Sequence, residues 1–224
     1  MSANFFTFDL KDYPCLAPLI PLTREVANLN DLGDVEDFKR KTKDDELFRR
    51  CRDECFREPE YERMLRAEAN GALRRQARAM SDRVESVSHP KFKKSFGHYA
   101  FNDPQRITHI QYAVDLAFQA SCENVGDFLY PPFGFRGWHT NKYDQAGWAI
   151  YLVQTDKMDG SFFRYIDPDT GGIVTHWDRP DSCNIFKIET GRPFWHCIVS
   201  EDGYRWSQGF RLPEDWRCCL EIAP

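Results

Sequence analysis

A chain of 224 residues is long enough for one substantial domain or two small ones. Its formal net charge of -5 argues against a nucleic-acid partner, and no apolar run approaches the ~20 residues that a membrane helix needs. Aromatic residues make up 15% of the chain, which suits a packed β core.

The eight cysteines show no spacing that is typical of a zinc site. Cys51 and Cys55 are one helical turn apart, and we interpret them as small apolar residues in a helix interface. The first residues lack the basic-then-apolar pattern of a secretion signal. The cysteines are therefore expected to be free thiols in a reducing compartment, which predicts a cytoplasmic protein.

The N-terminal half of the chain predicts helices. Residues 1–22 contain three prolines, so we expect an irregular segment there. Charged residues of both signs are interleaved along the next segments, which favours solvated helix faces over a basic docking patch. Apolar residues at helical spacing predict three helices, at 34–57, 60–84 and 104–123. We interpret residues 1–123 as a mostly helical support region.

After Gly126 the apolar pattern changes to short runs and a period of two, which is typical of strands. Turn residues separate eight predicted strands, at 127–130, 148–154, 162–166, 172–175, 184–189, 194–200, 204–211 and 217–222. Such spacing predicts a sandwich or barrel over residues 124–224. Helices followed by strands favour one domain over residues 1–224, with the helices packed outside the β core.

Two histidines far apart in the chain are the candidate metal ligands. His139 lies in the run Trp-His-Thr-Asn, and His196 lies in the run Phe-Trp-His-Cys. Two imidazoles and one carboxylate on one face are a common ligand set for a mononuclear Fe(II) that activates oxygen. Arg205 follows nine positions after His196, and its planar fork fits a carboxylate. Ser207 lies two residues further along the same strand, so both side chains are expected to point the same way.

The stretch from Trp138 to Leu212 resembles the catalytic core of the Fe(II)/2-oxoglutarate-dependent oxygenases and is most similar to their prolyl-hydroxylase-like branch. The resemblance covers about a third of the chain. It implies a mainly β fold whose core is a double-stranded β-helix, or jelly roll, with the N-terminal helices packed outside. It also implies Fe(II) as cofactor, 2-oxoglutarate as co-substrate, O2, and a small-molecule, amino-acid or peptide substrate.

The same resemblance implies a role for each matching residue. His139 matches the first histidine of the family's His-x-Asp/Glu motif and His196 the distal histidine, so both are implied metal ligands and catalytic residues. Arg205 and Ser207 match the pair that holds the far carboxylate of 2-oxoglutarate. Tyr151 matches a strand tyrosine that hydrogen-bonds the same co-substrate.

The chain departs from the family where the acidic ligand is expected, because Asn141 stands there. In one interpretation the amide of Asn141 ligates the metal weakly, or water takes its place. The family's halogenases also lack the carboxylate, but a residue smaller than asparagine leaves room for halide. In a second interpretation Asp144 substitutes. In a third the barrel has lost its iron chemistry and is an inert binding or structural module.

Other residues allow two interpretations each. Arg164 either pairs with a substrate carboxylate or snorkels from the sheet. Trp138 and Trp148 either line the pocket or pack in the core. His176 is a poor third ligand because it lies in a turn-rich region. The sequence thus favours a hydroxylating oxygenase, with the inert jelly roll as the alternative; a cupin-type isomerase or hydrolase would have no use for the Arg-x-Ser anchor.

Overall fold

The computed structural model describes residues 4–27, 49, 51–53, 104–139, 146–189 and 194–221, with the backbone alone at 26, 104–107, 137–139 and 221. Nine strands of this part of the chain are β1 Phe5–Asp9, β2 Asn124–Tyr130, β3 Phe135–His139, β4 Gly147–Thr155, β5 Ser161–Ile166, β6 Ile173–Trp177, β7 Ser182–Ile188, β8 His196–Ser200 and β9 Arg205–Leu212. The helices are α1 Leu19–Val26, α2 Pro104–Phe118 and α3 Trp216–Glu221, and a 3-10 turn covers Leu10–Asp12.

The strands form two antiparallel sheets. The five-stranded sheet has the order β1-β7-β4-β9-β2, and the four-stranded sheet has the order β3-β8-β5-β6. Apolar and aromatic side chains of both sheets pack together in the space between them, which is called the interior below. The mainly β architecture with flanking helices confirms the predicted jelly-roll core.

Alternation along the strands decides which side chains enter the interior. On β4, Ile150 and Leu152 pack against the helices, whereas Ala149 and Tyr151 belong to the interior cluster. Both faces of β4 are therefore buried, which explains its nearly continuous apolar sequence. Helix α1, helix α2 and Trp216 of α3 cover the outer face of the five-stranded sheet.

The outer face of the four-stranded sheet carries a separate apolar cluster. Phe162, Cys197 and Val199 pack there with Cys51, which the predicted helix 34–57 contributes. Residues 49, 51 and 52 are helical, and the rest of that predicted helix lies outside the described residues, as does the predicted helix 60–84.

Two segments differ from the sequence prediction. The prediction of an irregular segment over residues 1–22 is wrong, because these residues include β1 and the start of α1. Pro21 lies in the first turn of α1, where the missing N–H removes no helical hydrogen bond. The strand expected over 217–222 is also wrong. Residues 217–221 lie in α3, where Trp216, Cys219 and Leu220 join one cluster at helical spacing.

The remaining strand predictions are confirmed within a few residues, but β3 was not predicted. The helix expected over 104–123 ends at Phe118. The Asp167–Gly171 segment forms a hairpin turn between β5 and β6, where the Gly171 N–H donates to the Asp167 carbonyl over 2.7 Å. No helix among the described residues is long and apolar enough to span a membrane. The predicted boundary between the support region, residues 1–123, and the β core, residues 124–224, stays a prediction.

Replacing Phe5 by alanine tests how much β1 contributes to the core. Phe5 is buried and stacks on Phe163, Tyr165 and His176. Phe5→Ala is expected to lower the free energy of unfolding by about 3–5 kcal/mol, measured by urea denaturation. The exposed neighbour Thr7 is the control, and Thr7→Ala should change it by less than about 0.5 kcal/mol. Equal losses in the two variants would contradict the packing role of Phe5.

Candidate active site

The two candidate histidines lie on neighbouring strands. Strand β3 pairs with β8, and the Cα atoms of His139 and His196 are direct cross-strand partners. Phe135 pairs with Val199 and Arg136 with Ile198, so one extra residue lies on β3 before His139. This β-bulge shifts the alternation of β3, and without it position 139 would not stand opposite His196.

The imidazole of His196 is buried in the interior, with 2% of the residue exposed. Its ring centroid lies 5.1 Å from that of Phe163 and 5.3 Å from that of Phe186. Nδ1 lies 2.9 Å from the carbonyl oxygen of Phe194. If Nδ1 donates to this carbonyl, the lone pair of the ring lies on Nε2, as in many metal-ligating histidines.

The surroundings of His196 keep its ring neutral. The pKa of His196 is lowered to about 3, mainly by burial; the hydrogen bond with the Phe194 carbonyl opposes this shift, and the charge of Arg136 adds a smaller decrease. A neutral imidazole is the protonation state that binds a metal ion. The imidazole is therefore ready to ligate at neutral pH.

Arg205 lies at the start of β9, on the face of the five-stranded sheet that lines the interior. Its Nε donates to Asp178 Oδ2 over 2.7 Å, and its Nη1 donates to Ser207 Oγ over 2.8 Å. The side chains of Arg205 and Asp178 are only 1% and 2% exposed. Ser161 Oγ donates to the same Asp178 oxygen over 2.8 Å. Asp178, which directly follows β6, thus joins Arg205 of β9 to Ser161 at the start of β5 in the opposite sheet.

A second arginine and a tyrosine also lie in the polar part of the interior. The Arg205 guanidinium carbon lies 5.5 Å from the centroid of the Tyr130 ring. Burial raises the pKa of Tyr130 to about 12, although the charges of Arg136 and Arg205 act in the opposite direction. Arg136 itself lies over the Phe128 ring, 4.8 Å from its centroid. The positive charge of Arg136 also acts on His196 and would attract an anion in the same interior.

Tyr151 lies in the same interior and depends on a glycine for its place. Its ring stacks on Phe186 with a centroid distance of 5.6 Å and an interplanar angle of 9°. Gly209 is its cross-strand partner on β9. A Cβ atom at position 209 would lie 2.6 Å from two atoms of the Tyr151 ring, so only glycine leaves room for this ring position.

The structure thus places the described candidates in one interior. His196 lies in the four-stranded sheet, opposite the backbone of His139, and Arg205, Ser207 and Tyr151 lie in the facing sheet. The side chain of His139 lies outside the described set. For Trp138 the backbone alone is described. Asn141 and Asp144 lie outside the described residues.

Three other sequence candidates are not in the polar part of the interior. Arg164 points to the outer face, where it donates to the carbonyls of Cys51 and Arg52 and to Thr175 Oγ1. Trp148 packs with Trp216 beneath the helices. His176 stacks on Phe5 and Tyr165, and burial lowers its pKa.

Sequence reasoning missed Asp178, Ser161, Arg136 and Tyr130. Asp178 follows β6 directly, and a buried acid at a strand end carries no local signal until its partner is known. Tyr130 ends β2. Alternation along β2 places Leu129 on the side of the helices and Tyr130 in the interior, so the interior position of Tyr130 could have been predicted. Arg136 could not, because β3 was not predicted.

The described part of the arrangement offers one neutral imidazole and a buried arginine in the same interior. His196 offers a neutral ring whose Nδ1 is held by a carbonyl, and the paired strand brings the backbone of His139 to the same level. Among the side chains that the structure describes, no three His, Cys, Asp or Glu residues form a metal-binding group. Arg205 and Ser207 present hydrogen-bonding groups to a carboxylate in the same space.

No protein-family model matches the sequence, and no curated protein matches it either. Among solved structures, the chain is similar to a prolyl-4-hydroxylase of Pseudomonas putida, with 18% identity and a TM-score of 0.31 over 49% of this chain and 59% of the other. It is also similar to an oxidoreductase of the 2OG-Fe(II) oxygenase family from Burkholderia pseudomallei, with 12% identity and a TM-score of 0.32. That match covers 49% of this chain and 52% of the other.

A third similar structure is a prolyl hydroxylase from Trichoplax adhaerens, in complex with a hypoxia inducible factor peptide fragment. The identity is 12%, the TM-score is 0.33, and the match covers 57% of this chain and 64% of the other. The chain thus spans about half to two thirds of the length of these structures. Similarities at this level do not assign an activity.

Substituting Gly209 tests the position of the Tyr151 ring. In Gly209→Ala the new methyl group would overlap this ring, so the ring must move or the strands must separate. We expect a loss of about 1–3 kcal/mol in the free energy of unfolding and a changed Tyr151 environment in the near-ultraviolet circular dichroism. Gly172→Ala is the control, since the nearest atom there is the Thr170 hydroxyl in an exposed turn. An unchanged Gly209→Ala spectrum would contradict the close approach.

Proposed function

We propose that this chain is an Fe(II)/2-oxoglutarate-dependent oxygenase that oxidises a C–H bond of a small-molecule, amino-acid or peptide substrate, most simply by hydroxylation. The observation that carries the proposal is the cross-strand pairing of His139 with His196 in one sheet, with Arg205 and Ser207 in the facing sheet. Cross-strand partners in an antiparallel pair place their Cβ atoms on the same face. Both imidazoles can therefore reach one ion from adjacent strands.

Each residue has a role that its surroundings support. His196 would bind the metal through Nε2, with Nδ1 held by the Phe194 carbonyl. His139 would be the second ligand, from the residue beyond the bulge of β3. When bound, iron supplies the activation of O2, in a reaction that converts 2-oxoglutarate to succinate and CO2 and inserts the second oxygen atom into the substrate.

Arg205 would bind the far carboxylate of 2-oxoglutarate. Its guanidinium is buried and fixed by Asp178 and Ser207, so little side-chain freedom is lost when an acid binds. Ser207 Oγ, which accepts from Arg205, can donate its own proton to the same carboxylate. Tyr151 would donate to the co-substrate from the neighbouring strand β4. The aromatic rings around His196 would give its ligating nitrogen an apolar surrounding.

Succinate formation tests this assignment. His196→Ala removes a metal ligand and is expected to lower Fe(II)-dependent conversion of 2-oxoglutarate to succinate by at least about 100-fold. His109→Ala is the matched control, because His109 is exposed on α2, and it should keep full turnover. Equal turnover in the two variants, or wild-type protein that neither binds Fe(II) nor converts 2-oxoglutarate, would reject the proposal.

Asn141 favours one alternative, an inert jelly roll that binds a peptide, a small acid or another protein. The amide is a weaker metal ligand than the carboxylate that the resembling family has at this position. In the alternative, the same interior would hold an acid at Arg205 without iron chemistry. The two functions predict different effects of a carboxylate at position 141 on metal binding and on 2-oxoglutarate turnover.

An Asn141→Asp variant separates the two functions. If the native asparagine is a working part, the added negative charge disturbs the site, and we expect lower succinate formation than in wild type. Asp144→Asn is the control, and it should leave Fe(II) binding unchanged unless Asp144 is the substituting ligand. Metal binding and turnover that arise only in the Asn141→Asp variant would instead establish the inert module.

A further inference from the structure

The ion pair between Arg205 and Asp178 is the most buried of the ion pairs between described side chains. Asp178 is itself rigidly held, because its N–H donates to the Ser161 carbonyl over 2.9 Å and its Oδ2 accepts from the Ser161 hydroxyl. The carboxylate therefore has a fixed position at the start of β5. It determines where the Arg205 guanidinium lies.

The guanidinium is only partly used by its neighbours. Arg205 has five N–H groups; Nε donates to Asp178, and one N–H of Nη1 donates to Ser207. Within the described part of the chain, no other group accepts from Arg205. One N–H of Nη1 and both of Nη2 remain at the end of the fork, where they can donate to a carboxylate.

A carboxylate on that end of the fork would share the guanidinium with Asp178. Two like charges about 6 Å apart, at an effective dielectric constant of about 20, repel strongly enough to change a dissociation constant by about tenfold or more. Asp178 therefore has two opposite effects on an incoming acid. It aims the fork, and it weakens the attraction of the fork for a second negative charge.

We propose that Asp178 is a positioning residue that sets the affinity of Arg205 for the far carboxylate of 2-oxoglutarate. The inference rests on the proposed function and adds a residue to it. Asp178 keeps the buried arginine neutralised when no acid is bound, because a buried guanidinium without a partner is strongly destabilising. The bound acid then competes with Asp178 for the same cation, which keeps the co-substrate exchangeable.

The affinity for two matched acids tests this inference. 2-Oxopentanoate has the same oxo-acid end as 2-oxoglutarate but lacks the far carboxylate. Calorimetry on the full chain with Fe(II) under nitrogen gives both dissociation constants. In Asp178→Asn, which keeps the shape but removes the charge, the dissociation constant for 2-oxoglutarate is expected to fall about tenfold. The constant for 2-oxopentanoate should not change, since no carboxylate reaches Arg205.

Two further variants separate charge from structure. Asp178→Glu restores the charge and should return the 2-oxoglutarate constant toward the wild-type value, which a merely structural defect would not do. Ser161→Ala leaves the ion pair but removes the second donor to Asp178. The carboxylate then binds Arg205 more strongly, and the 2-oxoglutarate constant should rise severalfold. Ser161→Ala also gives a result if Asp178→Asn does not fold.

The outcomes distinguish this inference from the proposed function. Wild-type protein that binds the two acids equally well has no carboxylate anchor at Arg205, and both proposals fall. If wild type prefers 2-oxoglutarate but Asp178→Asn and Ser161→Ala leave that preference unchanged, only the role of Asp178 falls. Changes of equal size for both acids would also overturn it. Thermal shifts with 2-oxoglutarate in metal-free protein should follow the same order of variants.

Discussion

Burial of both faces of the five-stranded sheet is the constraint on which the rest of the structure depends. One face meets the helices and the other meets the four-stranded sheet, so each strand position must supply the side chain that its face requires. On β9, Trp206 and Phe210 lie on the helical side, whereas Arg205 and Ser207 lie in the interior. A slip of one residue would bury the guanidinium among the helices and place a tryptophan in the site.

The interior itself has two chemically different parts. Phe5, Phe163, Tyr165 and Phe194 form an aromatic cluster in which the ring centroids lie 4.7–6.4 Å apart. The polar part carries two arginines, one carboxylate and the tyrosine at the end of β2. His196 packs against the aromatic part, and the charge of Arg136 in the polar part contributes to lowering its pKa. A neutral imidazole and buried arginines can thus share one interior without an ion pair between them.

Much of this fold could be predicted from the sequence, because most strands show a clear period and clear turns. The alternation on β8 and β9 also placed His196, Arg205 and Ser207 correctly on their strands. Strand β3 could not be predicted, since the bulge before His139 breaks the period of two. The partnership of Asp178 with Arg205 was equally hidden, because it joins two sheets and depends on how they pack.

Strand β1 has a consequence for how the protein is made. It pairs with β7, with Phe5 opposite Phe186, so its partner is synthesised 181 residues later. Contacts between such distant segments form late and slow the search for the native topology. During synthesis on a ribosome, β1 therefore cannot form its native pairing until residues 182–188 have emerged.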